Sequence, residues 1–193
     1  NPGSPLPSNA HKVLPTSGNT EAYLTAECAG ASDYTFNPSI QINGLMLNDY
    51  FLAVIPVKNV KADTKIQVEA SFGAAGSAAG VFSIEYSSNN AIWNLADGAR
   101  DTTIFGQSGK VHYTVAASNT GATRKEYNKA TDPGYKAYTF ALDGIPPISD
   151  GYLYIRLRVS MDIRAKASSS AYKIKAGTWC DLKGLDIKLI KEE

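Results

Sequence analysis

Between Gly151 and Asp162 apolar and polar residues alternate without a break. Leu153, Ile155, Leu157, Val159 and Met161 take one parity; Tyr152, Tyr154, Arg156, Arg158 and Ser160 take the other. A strand turns successive side chains to opposite faces, so the first set needs a hydrophobic layer over it and the second meets water or a ligand. The segment predicts a central strand of an antiparallel sheet, and any fold for the chain must supply a second layer against its apolar face.

Shorter segments of the same period supply that layer. Ala22, Leu24, Ala26 and Cys28 share one face, Ile40 and Ile42 make a short strand ending at the turn pair Asn43-Gly44, and Ile66, Val68, Ala70 and Phe72 form a strong strand. Phe82, Ile84 and Tyr86 follow, then Val111, Tyr113 and Val115, then Tyr138, Phe140 and Leu142, and finally Leu185, Ile187 and Leu189. Asp49 to Val57 is apolar on both faces and predicts a strand buried on both sides, with Pro56 marking its end. The small-residue stretch Gly73 to Gly80 reads as a flexible connection, since it lacks the Lys-Ser/Thr ending of a phosphate loop and no helix follows it. No long helical periodicity is visible. At 193 residues the expected fold is all-β: one two-layer antiparallel β-sandwich, jelly-roll-like, over residues 20–193.

Residues 1–19, with Pro2, Pro5, Pro7 and Pro15 among Ser, Asn and Gly, predict an extended tether. Such a tether is expected behind a cleaved signal in a secreted or surface protein, with a lipid anchor before residue 1 as one way of holding it there. No apolar run approaches the roughly 20 residues of a membrane-spanning helix. A net charge of +1 gives no reason to expect nucleic acid as the main partner.

The order of the strands carries a resemblance. Thr64 to Ser71, then Phe82 to Asn89 with Trp93, then Tyr138-Thr139-Phe140, Tyr154 to Arg158 and Leu185 to Leu189 resemble the galactose-binding-like jelly-roll domains on secreted and cell-surface proteins of gut bacteria. Those read as a strand, V-E-Y-S-x-D-G, a Trp, a strand, Y-I-R-F-R, and a strand ending D-D-I. The resemblance covers about Thr64 to Ile190 and implies a sandwich of the carbohydrate-binding-module kind. The acidic pair before the last strand is reduced here to Asp186 after Leu185, which puts the family's structural calcium in doubt; no other cofactor is expected. Jelly rolls often bring their ends together, which implies a Cys28–Cys180 disulfide, with two buried thiols as the competing reading.

Catalytic signatures are missing. His11 and His112 are the two histidines, far apart, and no HExxH, GxSxG or CxxC pattern occurs. Asp97, Asp101, Asp132 and Asp143 all sit in turn-like stretches, where a pair of acids would suit a glycosidase but acidic turns are also commonplace. The expected role is non-catalytic: a binding module for a poly- or oligosaccharide, or a structural adhesin-type spacer.

A sugar ring stacks its C–H face on an aromatic ring while polar groups bond its hydroxyls. The irregular span Ala96 to Lys136 brings together Arg124, Tyr127, Asn128, Asp132 and Tyr135, with Tyr113, and is the first candidate site. Tyr113 packing on its own sheet is the competing reading. The polar face Tyr152, Tyr154, Arg156 and Arg158 is the alternative platform, unless the arginines are taken by Glu85 on the strand Val81 to Tyr86. Trp93 is expected to be packed rather than presented. Arg164, Lys166, Lys173 and Lys175 could receive a sulfated glycan or acidic surface; a solvated loop is the plainer account.

Overall fold

The computed structural model describes residues 10–15, 23–27, 33–36, 40–115 and 135–190, with side chains from residue 40 onward. Fourteen strands and no helix occur among them. The short leading strands are β1 (Ala10–Pro15), β2 (Tyr23–Glu27), β3 (Asp33–Phe36) and β4 (Ile40–Asn43). Then come β5 (Tyr50–Val60), β6 (Lys65–Ala74), β7 (Val81–Ser87), β8 (Asn94–Leu95), β9 (Arg100–Ile104), β10 (Gln107–Val111) and β11 (Tyr113–Thr114). β12 (Tyr135–Ala141), β13 (Ile148–Val159) and β14 (Trp179–Ile190) complete the order.

The strands make two antiparallel layers. One has the order β1-β2-β5-β13-β7-β11 with β8 on β7, the other β12-β6-β14-β4-β3, and β9 and β10 form a separate hairpin. The long strands alternate between layers (β5, β6, β7, then β12, β13, β14), which is the jelly-roll-like sandwich expected. β13 lies between β5 and β7, central as its alternation demands.

Its inward set meets the opposite layer. Leu153, Ile155, Leu157 and Val159 are at most 1% exposed and share one core with Phe51, Ile66, Val68, Phe72, Phe82, Ile84 and Phe140. Phe72 is the hub: its ring stacks on Phe82 at 4.5 Å, meets Tyr113 edge-on at 5.3 Å and tilts against Phe51 at 6.3 Å. Such pairs add about 0.5–1.5 kcal/mol each beyond the area they bury.

Three local departures have physical reasons. β5 continues past Pro56 to Val60 instead of ending there; β2 pairs no farther than Val54, so the ladder on that side has stopped before the proline is reached. In β14, Cys180 and Leu182 face the core on one parity and Leu185 and Ile187 on the other, and a bulge between Leu182 and Gly184 reconciles them. The Gly73–Gly80 stretch is close-packed rather than loose: Ala78 and Ala79 are buried, Gly80 N–H donates to Ile163 O at 2.9 Å, and a Cβ on Gly80 would lie 2.6 Å from the Ala165 backbone. Ala10–Pro15 forms β1 and pairs with β2.

The segment expected as one strand, Val111 to Val115, is broken at His112. This ring is fully buried. Its Nδ1 accepts from Ile84 N–H at 3.0 Å and its Nε2–H faces the carbonyls of Ala96 and Asp97, both at 3.1 Å, which fixes the neutral Nε2–H tautomer. Burial, partly countered by those carbonyls, lowers its pKa below the usual histidine value. Above about pH 6.5 both folded and unfolded chains hold it neutral; below that the unfolded chain takes a proton that the native ring resists, so stability falls with pH until the native pKa is passed. Melting curves from about pH 7.5 to 5.5 should therefore slope downward in the wild type and less steeply in His112→Asn. Equal slopes would remove His112 as the cause.

Candidate functional site

The second parity of β13 forms the outer face of the β1-to-β11 layer. Tyr152, Tyr154, Arg156 and Arg158 stand there in line, opposite Pro56, Val54, Leu52 and Tyr50 of β5 on one side. On the other side Tyr154, Arg156 and Arg158 oppose Ser87, Glu85 and Ser83 of β7. Tyr152 to Arg156 spans about 13 Å at a strand's rise.

Both arginines are held by one carboxylate. Arg156 Nε and Nη2 lie 2.6 and 2.5 Å from Glu85 Oε2, and Arg158 Nε lies 2.7 Å from Oε1. Arg158 Nη1 also donates to Asn48 Oδ1 at 2.7 Å. The Glu85 side chain is 8% exposed, against 16% for Arg156 and 27% for Arg158, so this is a largely buried network and not the exposed cross-strand pair the alternation alone suggests. The arginines therefore serve structure first.

The aromatic residues are what make the face a candidate site. The Ser87–Asn90 turn folds the chain back, with Asn89 Oδ1 accepting from the N–H groups of Ala91 and Ile92 at 2.9 Å each and Asn90 at a φ of 57°. β8 then pairs Leu95 with Glu85, and Trp93 comes over the guanidinium of Arg156 at 3.9 Å from its ring centroid. Tyr50 approaches the same guanidinium at 5.0 Å and Trp93 at 6.4 Å. Trp93 is thus packed, as expected, but on the outside of the sheet. Desolvation strengthens such cation–π contacts, to about 2 kcal/mol at the upper end. Tyr152 and Tyr154 continue the row, with ring centroids 6.3 Å apart. All four rings are half-buried: fixed in place, with part of each surface open to solvent. Burial, and secondarily Tyr152, pushes the Tyr154 phenol above the usual range, so it is neutral and can both donate and accept at physiological pH.

The first candidate site fares differently. Arg124, Tyr127, Asn128 and Asp132 lie outside the described residues. Tyr135 begins β12 opposite Ser71 and is half-buried. Tyr113 is corrected to a core residue: it is 1% exposed, wedged between Phe72 and Tyr138, and has no ring face left for a ligand. Cys180 is buried at the start of β14, opposite Ile42 and Ala74, while Cys28 lies outside the described residues, so the expected pairing does too. Asp97 and Asp143 are in turns, and Asp101 pairs with Lys110 at 2.7 Å. No cluster of three metal-ligating side chains occurs among the described residues.

Tyr50 and Trp93 were missed as members of the face. Tyr50 shares parity with Leu52 and Val54, which signals its side of the sheet. Trp93 gave no such signal, because a turn and not a strand brings it there.

No protein family and no curated protein matches the sequence. Among solved structures, the chain is similar to the K1 cleaved adhesin domain of Lys-gingipain from Porphyromonas gingivalis W83, at 12% identity and a TM-score of 0.39, over 96% of this chain and 94% of that one. It is also similar to the N-terminal cellulose-binding domain of Cellulomonas fimi β-1,4-glucanase C, at 15% identity and a TM-score of 0.36, over 97% and 92%. A third is the enzymatically active domain of bacteriophage CBA120 tailspike protein 4, at 12% identity and a TM-score of 0.35, over 95% of this chain and 20% of that one.

Proposed function

We propose that this domain is a non-catalytic glycan-binding module of a secreted or surface protein, and that it binds along the outer face of β13. One observation carries the reading. Tyr50, Trp93, Tyr152 and Tyr154 stand on one sheet face, each half-buried, with Arg156 clamped between Trp93 and Glu85. A row of rings on a rigid strand offers successive stacking surfaces to a chain of sugar rings, at little entropic cost because the rings are already held. Arg158, Asn48 and the two phenols border the row with polar groups for hydroxyls. A neutral polysaccharide is the ligand class this face suits, since Glu85 offsets much of the arginine charge.

The test is a panel of soluble polysaccharides and host glycans, followed by Tyr152→Ala/Tyr154→Ala. This variant should lose at least tenfold in affinity for whichever glycan binds, with a melting temperature within a few degrees of wild type. Retained affinity would move the site elsewhere, first to Tyr127 and Tyr135. No binding across the panel would favour the adhesin-type spacer.

A further inference from the structure

The β9–β10 hairpin and the loop 163–177 build a second surface. The hairpin turns on Phe105-Gly106, with Phe105 at a φ of 48°, in the left-handed region where a bulky residue is a genuine outlier and Asn or Gly is the ordinary choice. A strained residue with a large apolar side chain calls for a reason. The Phe105 ring stacks on Tyr172 at 5.3 Å and 22°, yet Phe105 stays 41% exposed. Gln107 clamps the hairpin in place, donating to Asp162 O at 3.0 Å and accepting from its N–H at 3.1 Å.

Charge is concentrated in the same corner. At the hairpin's base Arg100 lies within electrostatic reach of His112 and Tyr138 and Lys110 pairs with Asp101 at 2.7 Å, while the segment that carries Tyr172 holds Arg164, Lys166, Lys173 and Lys175 against Asp162. That segment is therefore +3 in a chain of net charge +1, which leaves −2 for all the rest. The backbone sets the cations out in order. Arg164 N–H donates to Tyr172 O at 2.8 Å, beside the stacked rings, while Lys166 and Lys175 dock through their N–H groups on Gly76 O and Ser77 O at 2.9 Å each. Lys166, Lys173 and Lys175 are exposed.

We infer that this corner is a second binding surface, for a polyanionic glycan bearing sulfate or uronate groups, independent of the β13 face. The complementarity is of two kinds. Cations spaced along a loop suit charges repeated along a polymer, and the flat outer side of the Phe105–Tyr172 stack suits a sugar's C–H face. A lipid surface is matched less well, because Phe105 lies back on Tyr172 instead of projecting as an inserting tip.

The experiment uses heparin as the probe, with dextran as the neutral control, duplex DNA and phosphatidylserine-containing vesicles as the other polyanions, and the full chain throughout. Wild type should bind heparin with an affinity that falls steeply with salt, and should bind the other three at least tenfold more weakly. Lys166→Ser/Lys173→Ser/Lys175→Ser should lose tenfold or more. Phe105→Asn, which relieves the turn, should weaken binding several-fold while leaving the melting temperature unchanged or higher. Tyr152→Ala/Tyr154→Ala should bind heparin as wild type does, whatever becomes of the neutral-glycan reading. The inference is overturned by undiminished binding in the triple-lysine variant, or by DNA or vesicles bound as tightly as heparin.

Discussion

Glu85→Gln should lower the melting temperature by roughly 5–12 °C, the consequence of losing about 2–4 kcal/mol in a chain of this size. The carboxylate is 8% exposed and answers two arginines at once, so its removal leaves both guanidinium groups against β7 without their anion. The cost of breaking a fully buried pair from one side is about 3–5 kcal/mol, and it is reduced here because the arginines still reach solvent. The variant has a second readout. Trp93 stacks on the guanidinium that Glu85 orients, so its fluorescence should change, and with Trp179 as the other tryptophan a Trp179→Phe background isolates the signal. A double-mutant cycle with Arg156→Met should give a coupling above about 1 kcal/mol. A melting shift within about 2 °C of zero would make Glu85 an ordinary surface carboxylate.

That network also shows how far a period of two can be read. The alternation of Gly151 to Asp162 put Arg156 and Arg158 on one face, and that of Val81 to Tyr86 put Glu85 on the corresponding face; antiparallel pairing of β13 with β7 then brought Arg156 directly opposite Glu85. Each step needs only local parity and strand adjacency. What lay beyond parity was not legible. The ring over Arg156 is a tryptophan delivered by the Ser87–Asn90 turn, and in Asp49 to Val57 parity groups Tyr50 with Leu52 and Val54 but, with both sides apolar, does not say which side faces outward. The flip between Leu182 and Leu185 is visible as a broken alternation only once β14 is known to be a single strand. Gly80 reads as a flexible residue in isolation, yet its missing side chain is what lets Ala165 approach. The candidate loop of Arg124, Tyr127 and Asp132 rests on composition and irregularity, two properties that place no side chain relative to another. The β13 face, by contrast, follows from register, which is why its geometry could be anticipated in part.

Phe72→Ala should be the most damaging single truncation in the core, costing about 3–5 kcal/mol and lowering the melting temperature by roughly 6–20 °C. Position in the contact pattern, and not only size, is the reason. Phe72 belongs to β6, while Phe51, Phe82 and Tyr113, the rings it touches, belong to β5, β7 and β11 of the other layer. One side chain therefore joins the two sheets at three points, and its loss leaves a cavity walled by rings that cannot collapse inward without moving their strands. Tyr86 and Phe140 make a comparable stack at 5.3 Å farther along, but that pair joins only β7 to β12. Phe140→Ala should consequently cost less than Phe72→Ala, and Phe72→Leu less than either, since it keeps most of the apolar volume. Urea unfolding of the three variants checks the ranking: the midpoint should move in that order with the slope unchanged. A Phe72→Ala midpoint no lower than that of Phe140→Ala would show that the core relaxes around the gap, and would remove Phe72 from its place at the centre of the sandwich.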